Sequence, residues 1–147
     1  PGYNSNTGAA YIIPGGTSLG SLDLSTSLFT GITRLRGSGS PGDLFGAAVS
    51  RGGNLNDDQY DDVIIGAPGA NSLQGIVYVF YGRSSTYNGL VSGYSQKNIL
   101  TGNGLTIGFG GSLGGVDNFN GNDKPDIVIG GQMLQAFIVF DQSINFF

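Results

Sequence analysis

The stretch 54-NLNDDQYDDVIIGAP-68 crowds four aspartates and two asparagines into its first nine residues, then turns into an apolar run. The chain has little charge to spend there, since charged residues make up only 11% of it. A second stretch, 118-NFNGNDKPDIVIGG-131, has the same cadence. Aligned on the last aspartate of each loop, Asp62-Val-Ile-Ile-Gly66 lies over Asp126-Ile-Val-Ile-Gly130, 64 residues further on. Phe45-Gly46 lies over Phe109-Gly110 at the same offset. Downstream, 76-IVYVF-80 lies over 136-AFIVF-140, an offset of 60, with loops absorbing the difference. The same signal also occurs early, as 9-AAYII-13, and 29-FTGITRLRG-37 matches 97-KNILTG-102 more loosely. Self-similarity at a fixed period is the mark of one supersecondary unit copied along the chain.

Each unit reads as four short strands. The Phe-Gly strand comes first (45–50 and 109–113), followed by the acidic loop. The apolar run is the second strand (62–66 and 126–130), and the aromatic run around Tyr78 and Ile138 is the third. A fourth strand alternates apolar and polar residues. The period-two pattern of "VYVFY" and "ITRLR" supports strands over helices. Composition agrees: there are 28 glycines and no glutamate, so the good helix formers are scarce. Four-stranded units at a fixed period suggest propeller blades. The chain opens at strands three and four of one unit, around Tyr11 and Ile32. A full unit follows, and the chain closes on three strands of another. The expectation is an all-β fold of antiparallel four-stranded blades in one domain: 1–44 a partial blade, 45–102 a full one, 103–147 a partial one. About two and a third blades cannot close a ring alone, because propellers need about 4–8.

Composition also bounds function. A length of 147 residues suits one domain. No apolar run approaches the roughly 20 residues of a spanning helix, so membrane insertion is not expected. A start at Pro1 reads as a mature form or an excised piece. A net charge of −4 and a pI near 4.3 argue against nucleic acid as a partner. Cysteine and histidine are absent, which removes thiolate metal sites and the commonest general base.

The loops point to a cation. The first places Asn54, Asn56, Asp58, the backbone of Tyr60, and Asp62 at positions 1, 3, 5, 7 and 9. The second places Asn118, Asn120, Asn122, the backbone of Lys124, and Asp126 at the same positions. Alternate oxygens in a tight loop, with a carbonyl at position 7, are how an EF-hand loop surrounds Ca²⁺. A cation would also neutralise carboxylates that otherwise repel each other. The alternative is a metal-free turn, because Asn and Asp side chains readily bond their own backbone. Among its four side-chain donors, loop two has a certain charge only at Asp126, with Asp117 and Asp123 nearby. Loop one is therefore expected to bind Ca²⁺ more tightly.

Phe45-Gly46, the acidic loop and Gly66-Ala67-Pro68, in that order, resemble the FG-GAP repeat. That repeat builds the blades of the integrin alpha-subunit propeller and of many bacterial and eukaryotic extracellular proteins. The closing unit keeps Phe109-Gly110 and the loop but departs at Gly130-Gly131-Gln132. Asn54, Asn118 and Asn122 stand where the family usually has acidic residues. The resemblance implies propeller blades, Ca²⁺ in the loops, an extracellular or cell-surface setting, and adhesion without catalysis.

Three functions compete on this reading. In the first, the chain is a non-enzymatic structural or adhesion module that assembles with copies of itself. Strand edges left open at both ends invite pairing. Tyr11 and the terminal Phe146 and Phe147 are the apolar groups expected to be buried against a second copy, in a ring or a fibre. In the second, it is a slice of a larger receptor-like propeller that binds protein or glycan. In the third, it is a Ca²⁺-dependent polysaccharide lyase or hydrolase, which would need an acid/base pair among Asp23, Asp43 and Asp141. Three structural expectations complete the reading. Arg34 and Arg36 should lie on a solvated strand face, Tyr78, Phe80 and Tyr81 should belong to the core, and Gly66 and Gly130 should sit where a Cβ would be strained or crowded.

Overall fold

Runs of Val, Ile, Tyr and Phe bounded by glycine become strands because branched and aromatic side chains fit a pleated, half-buried surface. The computed structural model describes residues 5–16, 31–84, 89–92, 97–102, 107–132 and 136–139. Among them are ten strands and no helix. In chain order they are β1 (Ala10–Ile12), β2 (Thr33–Arg36), β3 (Ala48–Gly53), β4 (Asp62–Ala67) and β5 (Ile76–Phe80). They continue with β6 (Gly89–Ser92), β7 (Lys97–Thr101), β8 (Ile107–Val116), β9 (Asp126–Gln132) and β10 (Ala136–Val139). They form three sheets, in the orders β1-β2-β6, β3-β4-β5-β7 and β8-β9-β10. The architecture is all-β and unclosed, as the repeat implies.

The middle sheet is the complete antiparallel blade. Ile65 stands opposite Val49 on one side and Tyr78 on the other, and Tyr78 stands opposite Ile99. The outer sheets repeat parts of this pattern, with Leu35 opposite Ala10 and Phe137 opposite Ile129.

Successive residues of a strand face opposite sides of its sheet, and the middle sheet buries both. Ile64, Val77 and Val79 join Phe109, Ile127 and Ile129 in a core shared with the third sheet. Ile65, Tyr78 and Phe80 join Leu35 and Phe45 in a core shared with the first. The Phe45 ring meets Tyr78 edge-on at 5.2 Å and Phe80 at 6.1 Å. Tyr78 and Phe80 are therefore core residues, and Tyr81 packs against the other core from a half-buried position.

Four details differ from the sequence expectation. Phe45 and Gly46 precede β3 rather than opening it. Gly46 takes φ +84°, which breaks extended geometry and lets the Phe45 ring drop into the core. Gly110 repeats this at φ +84°, and a register shift between Ile107 and Ser112 accommodates it within β8.

The first sheet is mixed, not antiparallel. The chain between β5 and β7 reaches back so that β6 pairs in parallel with β2, with Leu35 opposite Val91. Parallel strands need a long crossover, and here β3 to β5 supply it. The burial of this strand overturns the expectation of a solvated arginine face. Arg34 is only 9% exposed and Arg36 is half-buried. The expected assembly residues Phe146 and Phe147 lie outside the described residues.

The blades touch through backbone. A Cβ on Gly66 would stand 1.9 Å from the Gly110 carbonyl oxygen. At Gly130 a Cβ would meet only the Ser112 side chain at such range. The close approach expected at both glycines is thus backbone to backbone at Gly66 alone.

Candidate cation loops

Each acidic loop joins the first two strands of a repeat: residues 54–61 link β3 to β4, and 117–125 link β8 to β9. Their hydrogen bonds correspond position by position. Asp62 Oδ2 accepts the Leu55 N–H at 2.7 Å, and Asp126 Oδ2 accepts the Phe119 N–H at 2.7 Å. Asn56 Oδ1 accepts the Asp58 N–H at 3.3 Å, and Asn120 Oδ1 accepts the Asn122 N–H at 3.0 Å. Asp58 Oδ1 accepts the Tyr60 N–H at 2.6 Å, and Asn122 Oδ1 accepts the Lys124 N–H at 3.0 Å. Position 4 is left-handed in both loops, at Asp57 (φ 62°) and Gly121 (φ 80°). These Asx turns tie the side chains at positions 3 and 5 to the loop's own backbone, while Asp58, Asn120 and Asn122 stay exposed. A carbonyl or carboxylate oxygen that accepts one N–H still has a lone pair free, so the turns are compatible with a cation.

The two loops differ at positions 1 and 9. Asn54 is tied to Asp58 twice, accepting its N–H and donating to its carbonyl, both at 2.9 Å. Asn118 instead donates to Asp123 Oδ1 at 3.3 Å. Asp62 is 1% exposed and its Oδ1 accepts the Gly82 N–H at 2.9 Å. Asp126 is fully buried, and among the described residues its Oδ1 has no hydrogen-bond donor. A buried carboxylate oxygen without a donor is costly, and a cation would relieve that cost. The donor set thus fits a hard cation at loop two as well as at loop one. Among the described residues no three carboxylates gather into a metal cluster, so amide and main-chain oxygens would carry much of the coordination.

Burial pushes the Asp62 carboxyl above its ordinary value of 3.8, and the charges of Asp58 and Asp61 add to the rise. The N–H groups of Gly82 and Leu55 pull the other way. A carboxyl whose folded pKa is raised stabilises the fold below its unfolded pKa and loses that contribution as pH rises through the folded value. In chelator, wild-type protein should therefore lose stability relative to Asp62→Asn as pH rises from the ordinary carboxylate range toward neutrality. Urea titrations across that range would show a constant difference if the reading is wrong.

The seam between the loops carries two ion pairs. Arg51 Nη2 meets Asp117 Oδ1 at 2.8 Å, and Lys124 Nζ meets Asp57 Oδ1 at 2.5 Å. The Arg51 pair is highly exposed at both ends. Exposed pairs contribute little, so Arg51→Met should change stability by less than about 1 kcal/mol. The Lys124 side chain was not a sequence expectation, which used only its backbone. Its signal was faint: it is one of two lysines in the chain, seven positions into an acidic loop.

Comparison with known proteins matches residues 45–80 to the family model of the FG-GAP repeat. Integrin alpha pat-2 of Caenorhabditis elegans is 43% identical over 88 residues, covering 58% of this chain and 7% of that protein. Human integrin alpha-7 is 37% identical over 103 residues, covering 69% and 8%. Mouse integrin alpha-2 is 37% identical over 99 residues, covering 63% and 8%. The chain therefore spans less than a tenth of the length of these relatives.

Proposed function

We propose that this chain, which carries FG-GAP repeats of the integrin alpha type, supplies adjacent blades of a larger receptor-like propeller at the cell surface. Its loops at 54–62 and 118–126 hold Ca²⁺, and its role is adhesive rather than catalytic. Coordination falls to Asn54, Asn56, Asp58, the Tyr60 carbonyl and Asp62 in loop one. In loop two it falls to Asn118, Asn120, Asn122, the Lys124 carbonyl and Asp126. The observation that carries the reading is the buried oxygen of Asp126, which has no donor among the described residues, in a loop whose turns match those of its partner loop. The cation locks each loop between two strands, and the propeller presents its surface to an extracellular protein or glycan.

The catalytic alternative has less support. Asp43 is buried and accepts a hydrogen bond from the Ser38 hydroxyl, while Asp23 and Asp141 lie outside the described residues.

The test is a melting curve in Ca²⁺ and in chelator. A native-state ligand at ten times its Kd stabilises by about 1.4 kcal/mol, from RT ln(1 + [L]/Kd). Identical curves would leave the loops as turns.

A second reading, self-assembly, is supported by β1. Among the described residues it is an edge strand, and Tyr11 and Ile12 line an open apolar cavity of about 620 Å³ with Val49, Val63 and Ile65. On this reading the purified chain sediments as an oligomer at micromolar concentration, and removal of residues 143–147 releases smaller species. A well-folded monomer would leave the propeller-slice form alone standing.

A further inference from the structure

The two loops are not independent neighbours. Loop one concentrates four carboxylates in six residues: Asp57, Asp58, Asp61 and Asp62. Asp57 occupies position 4, where its left-handed backbone turns it out of the alternate donor series. The ammonium that meets it comes from Lys124, 2.5 Å away. The main chain of that same residue belongs to loop two, where its N–H is held by Asn122. The placement is built into the seam. Gly53, at the root of loop one, packs so tightly on Pro125 that a Cβ there would stand 2.8 Å from the proline ring. The Gly115 N–H donates to Ser50 Oγ at 3.3 Å, and Arg51 reaches across to Asp117.

We propose that Lys124 serves both loops at once: its main chain completes loop two, while its side chain is a tethered counter-ion that weakens Ca²⁺ binding at loop one. This inference rests on the reading that the loops bind cations.

The electrostatic sign is fixed. Before a cation arrives, the ammonium offsets repulsion among the loop-one carboxylates. When Ca²⁺ enters, the same ammonium is a like charge beside it. Removing it therefore raises the affinity of loop one and lowers the stability of the cation-free protein. Because the pair is partly exposed, the effect is modest and screened by salt.

The experiment is a Ca²⁺ titration of the 147-residue chain followed by amide NMR. The Leu55 and Asp58 amides report loop one, and the Phe119 and Asn122 amides report loop two. Lys124→Gln should lower the loop-one Kd by about two- to fivefold at low salt, with the gain shrinking as salt is added. Lys124→Arg should behave as wild type. In an Asp57→Asn background, Lys124→Gln should have a smaller effect than it has alone. A loop-one Kd that is unchanged or weaker in Lys124→Gln, while wild type still binds Ca²⁺, overturns this proposal and leaves the cation reading intact. No Ca²⁺-dependent shift in either loop of the wild-type chain overturns both.

Discussion

Gly66→Val should destabilise the protein by about 4 kcal/mol or more, a loss confined to a few mechanisms such as overpacking against rigid neighbours. The neighbour here is backbone. The first atom of any side chain would stand 1.9 Å from the Gly110 oxygen and 2.9 Å from its carbonyl carbon. Neither can swing aside as a side-chain tip would. Gly66 cannot retreat either, because its own carbonyl accepts the Gly46 N–H at 2.9 Å and its strand is paired on both sides. Separating the contact means moving two blades apart and opening the core of Ile64, Val77, Phe109 and Ile129. Gly114→Ala is the control, since nothing lies within 4 Å of a Cβ there. Urea denaturation should give a large drop in midpoint for Gly66→Val and almost none for Gly114→Ala. A Gly66 variant within about 0.5 kcal/mol of wild type, the norm for surface changes, would mean that the blades do not meet at this point.

Asp62→Ala is the second large effect. The Asp62 carboxylate satisfies the N–H groups of Leu55 and Gly82 from a site that is almost fully buried. Leaving a buried donor unpaired costs about 1–3 kcal/mol, so losing the shared acceptor should cost about 3 kcal/mol in chelator. In Ca²⁺ the gap should widen further, because the variant also loses the closing carboxylate of loop one. Asp58→Ala, whose side chain is exposed and serves the Tyr60 N–H, should cost much less in chelator yet blunt the Ca²⁺ response. Equal effects of the two substitutions in chelator would show that Asp62 is not the anchor described.

Much of the fold was legible in the sequence because each repeat repeats its chemistry as well as its letters. Asp62 and Asp126 share an offset with Phe45 and Phe109, and the hydrogen bonds of the two loops match position by position. Period-two alternation in 76-IVYVF-80 marked a strand, and in the fold its neighbours Val77 and Tyr78 enter two different cores. What was not legible depends on contacts made far away in sequence. Arg34, an arginine on a short alternating strand, looks like a surface residue, yet the fold leaves it only 9% exposed. Lys124 looks like a position defined by its carbonyl until the packing of Pro125 on Gly53 brings its ammonium to Asp57. The orphaned oxygen of Asp126 was invisible for a related reason: its counterpart in Asp62 is satisfied by Gly82, 20 residues downstream and one strand beyond.

The parallel pairing of β2 with β6 also orders the way the molecule comes apart. Strands β3, β4 and β5 pair in succession across short connections, whereas Leu35 and Val91 stand 56 positions apart in the sequence. Contacts across long separations carry the larger loop-closure cost and form late. The first sheet thus depends on a strand loaned by the second, and it should be a separate unit of opening. Amides of β2 should exchange with deuterium through sub-global opening, at a lower free energy than those of β4.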